Sequence, residues 1–322
     1  MFEKRIGKIL PRVVATLLLL SLPSSAYAWG PTGHRVVAEI AQRHLTPAAQ
    51  ARVSSLLDGR TLADVANWPD ELRSDPRFDK YRPLHFATVK DGLASYRDSE
   101  KAACGDLVVA INAFTGFLRT GSRESLYAVK ALSDKSDGPG EGACNPQQTE
   151  PISAASALSF LVHLMGDLHQ PLHVGGTDRG GNLVSVNWMD RWNTNLHSVW
   201  DDDMVDYERL AYTEYARFLD RASEADAKRW LSGDTISYAD EAVAMRPKLY
   251  VFPDSADSAV HKISYKYIGA QRDRMREQLL KGGLRLAGVL NSVFRAHKPH
   301  RSSRSSRLRL ASLHSINAAA LK

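Results

Sequence analysis

The chain reads as a mainly α-helical domain, and three features of its sequence predict it. Apolar residues recur at helical spacing over several long windows. Cap chemistry marks helix starts, and the strand–helix alternation of a parallel sheet is missing. Val36, Val37, Ile40, Ala41 and Leu45 share one face of a first helix. Thr46-Pro47 then caps and opens a second that runs to Leu57. Leu107–Leu118 and Ala154–Leu168 are strongly apolar helical windows. Ile263–Phe294 is a further long stretch, interrupted at Gly282-Gly283. Leu84–Val89 and Leu183–Trp188 read as short β pieces, a β-hairpin-like element within the helical body.

A chain of 322 residues with 43% hydrophobic content buries a substantial core. The formal charge of +6 resembles a nucleic-acid signal until it is located. Lys4, Arg5, Lys8 and Arg12 lie at the N-terminus, and Lys298, Arg301, Arg304, Arg307, Arg309 and Lys322 lie in a tail without acids. The body between them is slightly acidic, so the charge is no evidence for a basic face on it.

The ends read as separate segments. A basic stretch precedes the apolar run Val13–Leu22, then Pro23 and the small-residue pattern Ala26-Tyr27-Ala28. That is the order of a secretory signal peptide over residues 1–28, with cleavage at Ala28–Trp29, and the apolar run is too short for a membrane span. The expected product is a periplasmic or secreted protein comprising residues 29–296, followed by a basic low-complexity tail, 297–322. Cys104 and Cys144 are the only cysteines, and in an exported protein they most simply form one disulfide.

The chemistry concentrates in HLMGDLHQPLH, residues 163–173. His163 and Asp167 are four apart, so on a helix they stack on one face and can grip one metal ion. The spacing recurs at His197 and Asp201, and His173 follows Pro171. Imidazoles and carboxylates on rigid backbone suit a borderline-soft ion, zinc first. A lone histidine is usually structural, but a carboxylate in so apolar a helix is costly unless paired or metal-bound. His34 in WGPTGH, Asp70 in WPDELR and His85 in PLHF are further candidates, each weak alone. His44 and His261 sit in ordinary polar helical contexts.

Taken in order, WGPTGH, WPDELR, PLHF, FLVHLMGDLHQPLH, GGN and NLHSVWD resemble the zinc-dependent single-strand nucleases of the S1/P1 family, from Trp29 to about Asp201. The resemblance implies the helical fold shared with zinc phospholipase C and three zinc ions. The first would be held by Asp70, His85, His163 and Asp167, and the second by His173, His197 and Asp201. The third would take His34, Asp167 as a bridge, and the amino group and carbonyl of Trp29, which signal cleavage frees.

It also implies that Arg73 meets the charge developing on phosphorus, against the plain alternative of an ion pair with Glu71 or Asp75. Phe86 would stack a base, against the alternative of core packing, and Asn182 would support the substrate site. Thr88 stands where fungal members carry an acid, which leaves base preference open. The expected activity is hydrolysis of single-stranded DNA and RNA to 5′-nucleotides, with 3′-nucleotidase activity, by a monomer without protein or stable membrane partners. The alternatives are a phospholipase C-like phosphodiesterase and a non-catalytic zinc-binding protein. Release of nucleotides without attack on phosphatidylcholine separates all three.

Overall fold

The computed structural model describes residues 29–129, 152–255 and 259–295. The leader 1–28, Cys144 and the tail 297–322 lie outside the described residues. The longer α-helices are α1 (Pro31–Arg43), α2 (Pro47–Leu56), α3 (Leu107–Thr120), α4 (Ala154–Leu168), α5 (Tyr212–Leu219), α6 (Glu224–Leu231), α7 (Thr235–Leu249) and α8 (Tyr265–Val293). The mainly α reading therefore holds.

Local chemistry sets the helix starts. The Thr46 hydroxyl accepts from Ala49 N before α2, and the Asp106 carboxylate accepts from Val108 N and Val109 N before α3. Ser153 and Ser264 do the same for α4 and α8. Helix α4 is the centre of the molecule: every residue from Ala157 to Leu168 is buried. A helix apolar on all sides belongs inside a core, and α1, α3 and α8 pack around this one.

Helix α8 runs without a break through Gly282-Gly283, contrary to the sequence expectation. The pair is a contact. A Cβ on Gly283 would stand 2.5 Å from Ile40 Cβ and 3.0 Å from the Val37 carbonyl, and one on Gly282 would stand 3.3 Å from His169 Cβ. Two bare positions let α1 and the end of α4 approach α8 closely, which offsets the poor helix propensity of glycine.

The strands are short. Pro76–His85 is a 3-10 segment, so the expected β piece at Leu84–Val89 contracts to β1 (Ala87–Thr88). It pairs in parallel with β2 (Val174–Gly175), Ala87 opposite Val174 and Thr88 opposite Gly175. A hairpin joins β3 (Ser185–Trp188) to β4 (Trp192–Asn195), and β5 (His261–Ile263) pairs in parallel with β3. His261 is thus in a strand, not a helix; its ring stacks on Phe252 at 4.0 Å. The β1–β2 pair brings the segment ending in His85 beside His173.

Gly283→Val should cost about 1–3 kcal/mol by forcing α1 off α8. A denaturant midpoint unchanged from wild type would contradict so close a contact.

Candidate metal centre

Helix α4 supplies His163 and Asp167 on one face, with His163 Nε2 3.4 Å from Asp167 Oδ2. Helix α1 brings His34, whose Nε2 lies 3.3 Å from Asp167 Oδ1 and whose ring stacks on His163 at 3.8 Å. That approach depends on Gly166, since a Cβ there would stand 2.6 Å from His34 Nδ1. His85 ends the 3-10 segment with Nδ1 3.1 Å from both Asp167 Oδ2 and His163 Nε2. Asp70, in the short helix Trp68–Glu71, places Oδ1 3.7 Å from His163 Nε2 and 3.8 Å from His85 Nδ1.

A second cluster stands beside it. His173 leaves the 3-10 turn Pro171–His173, and His197 and Asp201 follow β4. His197 Nε2 lies 3.1 Å from His173 Nε2 and 3.4 Å from Asp201 Oδ2. The structure thus gathers donor atoms into three groups: Asp70, His85 and His163; His34, His163 and Asp167; and His173, His197 and Asp201. The sequence reading adds Trp29 to His34 and Asp167. Trp29 is buried just before α1, where a Cβ on Gly33 would stand 2.8 Å from the Trp29 Cβ and the adjoining Gly30 N donates to the Asp201 carbonyl at 2.8 Å.

Tautomer logic decides what these atoms can hold. His163 Nδ1 donates to the Ala66 carbonyl at 2.7 Å, His173 Nδ1 to the His85 carbonyl at 2.6 Å, and His197 Nδ1 to the Gly180 carbonyl at 2.6 Å. In a neutral imidazole the other nitrogen is then a bare lone pair. The Nε2 atoms of His173 and His197 therefore face each other with no proton between them. His163 has one nitrogen left, so it can serve one ion only, and its distances to both His85 and Asp70 favour theirs.

Protonation does not relieve the conflict. Burial pushes His34 and His85 far below the ordinary imidazole range, lowers His197, and brings His163 down to about 4. Burial also raises the carboxyls of Asp167 and Asp201, with nearby Asp70 acting in the same direction on both. Both nitrogens of His34, Oδ1 of Asp167 and Oδ2 of Asp201 are buried without a hydrogen-bond partner. Convergent lone pairs and buried carboxylates fit divalent cations with nitrogen and oxygen donors, the set that suits zinc.

The remaining site residues divide. Arg73 Nη2 lies 2.9 Å from Asp70 Oδ1, which gives it an ion pair with a clustered carboxylate. Phe86 is 48% exposed, which removes it from the core, and it directly follows His85 in the chain. The Asn182 side chain donates to the Arg179 carbonyl at 2.9 Å and so holds the loop that carries Gly180. His169 points away from the clusters, its Nδ1 to the Met165 carbonyl at 2.7 Å and its Nε2 to Arg285 at 3.1 Å. His44 pairs with Asp220 at the surface, at 2.7 Å.

Gln170 was missed in the sequence, although it sits inside the richest motif. It is fully buried, donates from Nε2 to Asp201 Oδ1 at 2.5 Å and accepts from Leu172 N at 2.7 Å. No spacing in the sequence marks it, and its role comes from holding a clustered carboxylate in the fold. Gln170→Leu should keep the fold and lower divalent-metal affinity by roughly 10–100-fold. Competition with a chromophoric chelator reads this directly, and unchanged affinity would make Gln170 a packing residue.

The family model described as S1/P1 nuclease matches residues 29–295, nearly the whole described chain. Endonuclease 3 of Arabidopsis thaliana is 31% identical over 310 residues, covering 89% of this chain and 96% of the relative. Nuclease P1 of Penicillium citrinum is 28% identical over 287 residues, covering 82% and 97%. Nuclease S1 of Aspergillus oryzae is 32% identical over 215 residues, covering 64% and 63%. With its buried His/Asp clusters and this match over most of its length, the chain belongs to the S1/P1 nuclease family.

Proposed function

We propose that this nuclease is a zinc-dependent endonuclease that hydrolyses single-stranded DNA and RNA to 5′-nucleotides and also removes 3′-phosphates. The observation that carries the reading is the convergence of bare imidazole nitrogens and buried carboxylates on three points. Asp70, His85, His163 and Asp167 would hold one ion; His173, His197 and Asp201 a second; His34, Asp167 and the amine and carbonyl of Trp29 a third. The last assignment needs export and cleavage at Ala28–Trp29, and in that oxidising setting Cys104 pairs with Cys144.

Zinc supplies Lewis acidity, which lowers the pKa of a bound water and stabilises charge on phosphoryl oxygens. The chain's own groups do the rest. Arg73, held against Asp70, places a cation where negative charge accumulates as phosphorus is attacked. The carbonyls of Ala66, His85 and Gly180 fix the imidazoles, so no reorganisation is needed during the reaction. Phe86 offers a half-exposed ring on which one base can lie flat, and a base is free to do so only in an unpaired strand.

Asp167→Asn should abolish cleavage of single-stranded oligonucleotides and lower zinc content together. Full zinc occupancy with normal turnover would end the bridging assignment. Phe86→Ala should leave zinc content alone and weaken oligonucleotide binding by about 1–3 kcal/mol. Fluorescence anisotropy with a labelled oligonucleotide measures it, and unaltered affinity would remove Phe86 from the substrate site.

A further inference from the structure

The loop from Gly176 to Leu183 is tied down at several points along its backbone. Thr177 donates to Asp91 from both its backbone N and its hydroxyl. Asp178 accepts from the Tyr250 hydroxyl at 2.7 Å, and its carbonyl accepts from Leu183 N at 3.2 Å. Gly180 accepts from His197, a member of the second cluster, at 2.6 Å. The Arg179 carbonyl is held by Asn182. The Arg179 side chain is exposed, and none of the described residues pairs with its guanidinium.

The backbone there is left-handed over three successive residues: Arg179 (φ 58), Gly180 (φ 61) and Gly181 (φ 80). Glycine adopts that region freely, and arginine does so against its Cβ. The loop also lies in a defined place. A Cβ on Gly175 would stand 2.5 Å from Gly180 Cα, so Gly180 folds over the Gly175 position. Gly175 is paired with Thr88, and paired residues of a parallel ladder project to the same face. Arg179 therefore stands at the face of Thr88, two residues along the chain from Phe86, and one residue from the carbonyl that orients His197.

We propose that Arg179 is a substrate-binding residue whose guanidinium takes a backbone phosphate of the single strand next to the one being cleaved. The proposal rests on the single-strand nuclease reading above. The loop backbone is braced, so binding orders only the arginine side chain, and a guanidinium suits phosphate oxygens by its paired donors. The body of the chain is slightly acidic, so a cation placed here has a polyanion to hold where the overall field does not attract one.

The test is steady-state cleavage of a short single-stranded oligodeoxynucleotide by the processed, zinc-loaded enzyme over a range of salt, with melting temperature and zinc content alongside. Arg179→Ala and Arg179→Gly should raise KM roughly tenfold or more with kcat within about twofold. They should also flatten the dependence of log kcat/KM on log salt by about 0.7, the share of one single-strand phosphate contact. Arg179→Lys should keep the wild-type slope. Arg179→Gly removes the backbone strain, so its melting temperature should not fall.

A wild-type slope and KM in both the Ala and Gly variants overturns the proposal. So does a loss of kcat and zinc with the slope retained, which would make Arg179 a brace for Gly180 and His197. If the wild-type enzyme cleaves no single strand, the functional reading fails by itself. Anisotropy of the same labelled oligonucleotide on the same variants, with the same slope criterion, then decides Arg179.

Discussion

The Nδ1–H groups of His163, His173 and His197 donate to the carbonyls of Ala66, His85 and Gly180, and the arrangement of the site follows from these bonds. Each one fixes a tautomer and aims a lone pair inward. Each also ties a histidine to a segment remote in sequence, from 17 to 97 residues away. The carbonyls belong to turns and segment ends whose oxygens are not consumed by regular helix bonding. The short β1–β2 pair exists in the same frame, since it holds His85 and His173 at the separation their bond requires.

The cost of this geometry falls on the core. Helix α4 is buried on all sides, yet it carries an imidazole and a carboxylate. Isolated, a buried carboxylate is expensive and takes a proton; here burial and Asp70 both push Asp167 toward the neutral form. A divalent cation reverses every sign in the site: it favours the ionised carboxylates and accepts the bare imidazoles. Metal binding and folding of the centre are therefore linked, with the ions completing a core that side chains alone leave unbalanced.

Much of this was legible in the sequence, for physical reasons that differ by residue. The His163–Asp167 and His197–Asp201 spacings were readable because helical periodicity is local. Thr46 marked a helix start because a cap acts within three residues. The Gly282-Gly283 pair misled because its meaning lies across the fold, against Ile40 and Val37. Gln170 was overlooked because an amide carries no pattern; only its 2.5 Å contact with Asp201 gives it a role. The stack of His34 on His163 and the exposure of Phe86 are likewise tertiary facts that no spacing encodes.

The two clusters are held in different ways. The first draws His34, His163 and Asp167 from helices α1 and α4, with His85 and Asp70 added from a 3-10 segment and a short helix. The second depends on turns: His173 on a 3-10 turn, His197 on the glycine loop, and Asp201 on Gln170. Its geometry is set by side-chain and loop bonds. Long-range attraction contributes little, because the folded body is slightly acidic and salt screens charges beyond about 8 Å at physiological strength. Capture of an anionic polymer then falls to cations and rings at short range. Arg73 stands at the first cluster, paired with Asp70, and Phe86, next in the chain to His85, is half exposed.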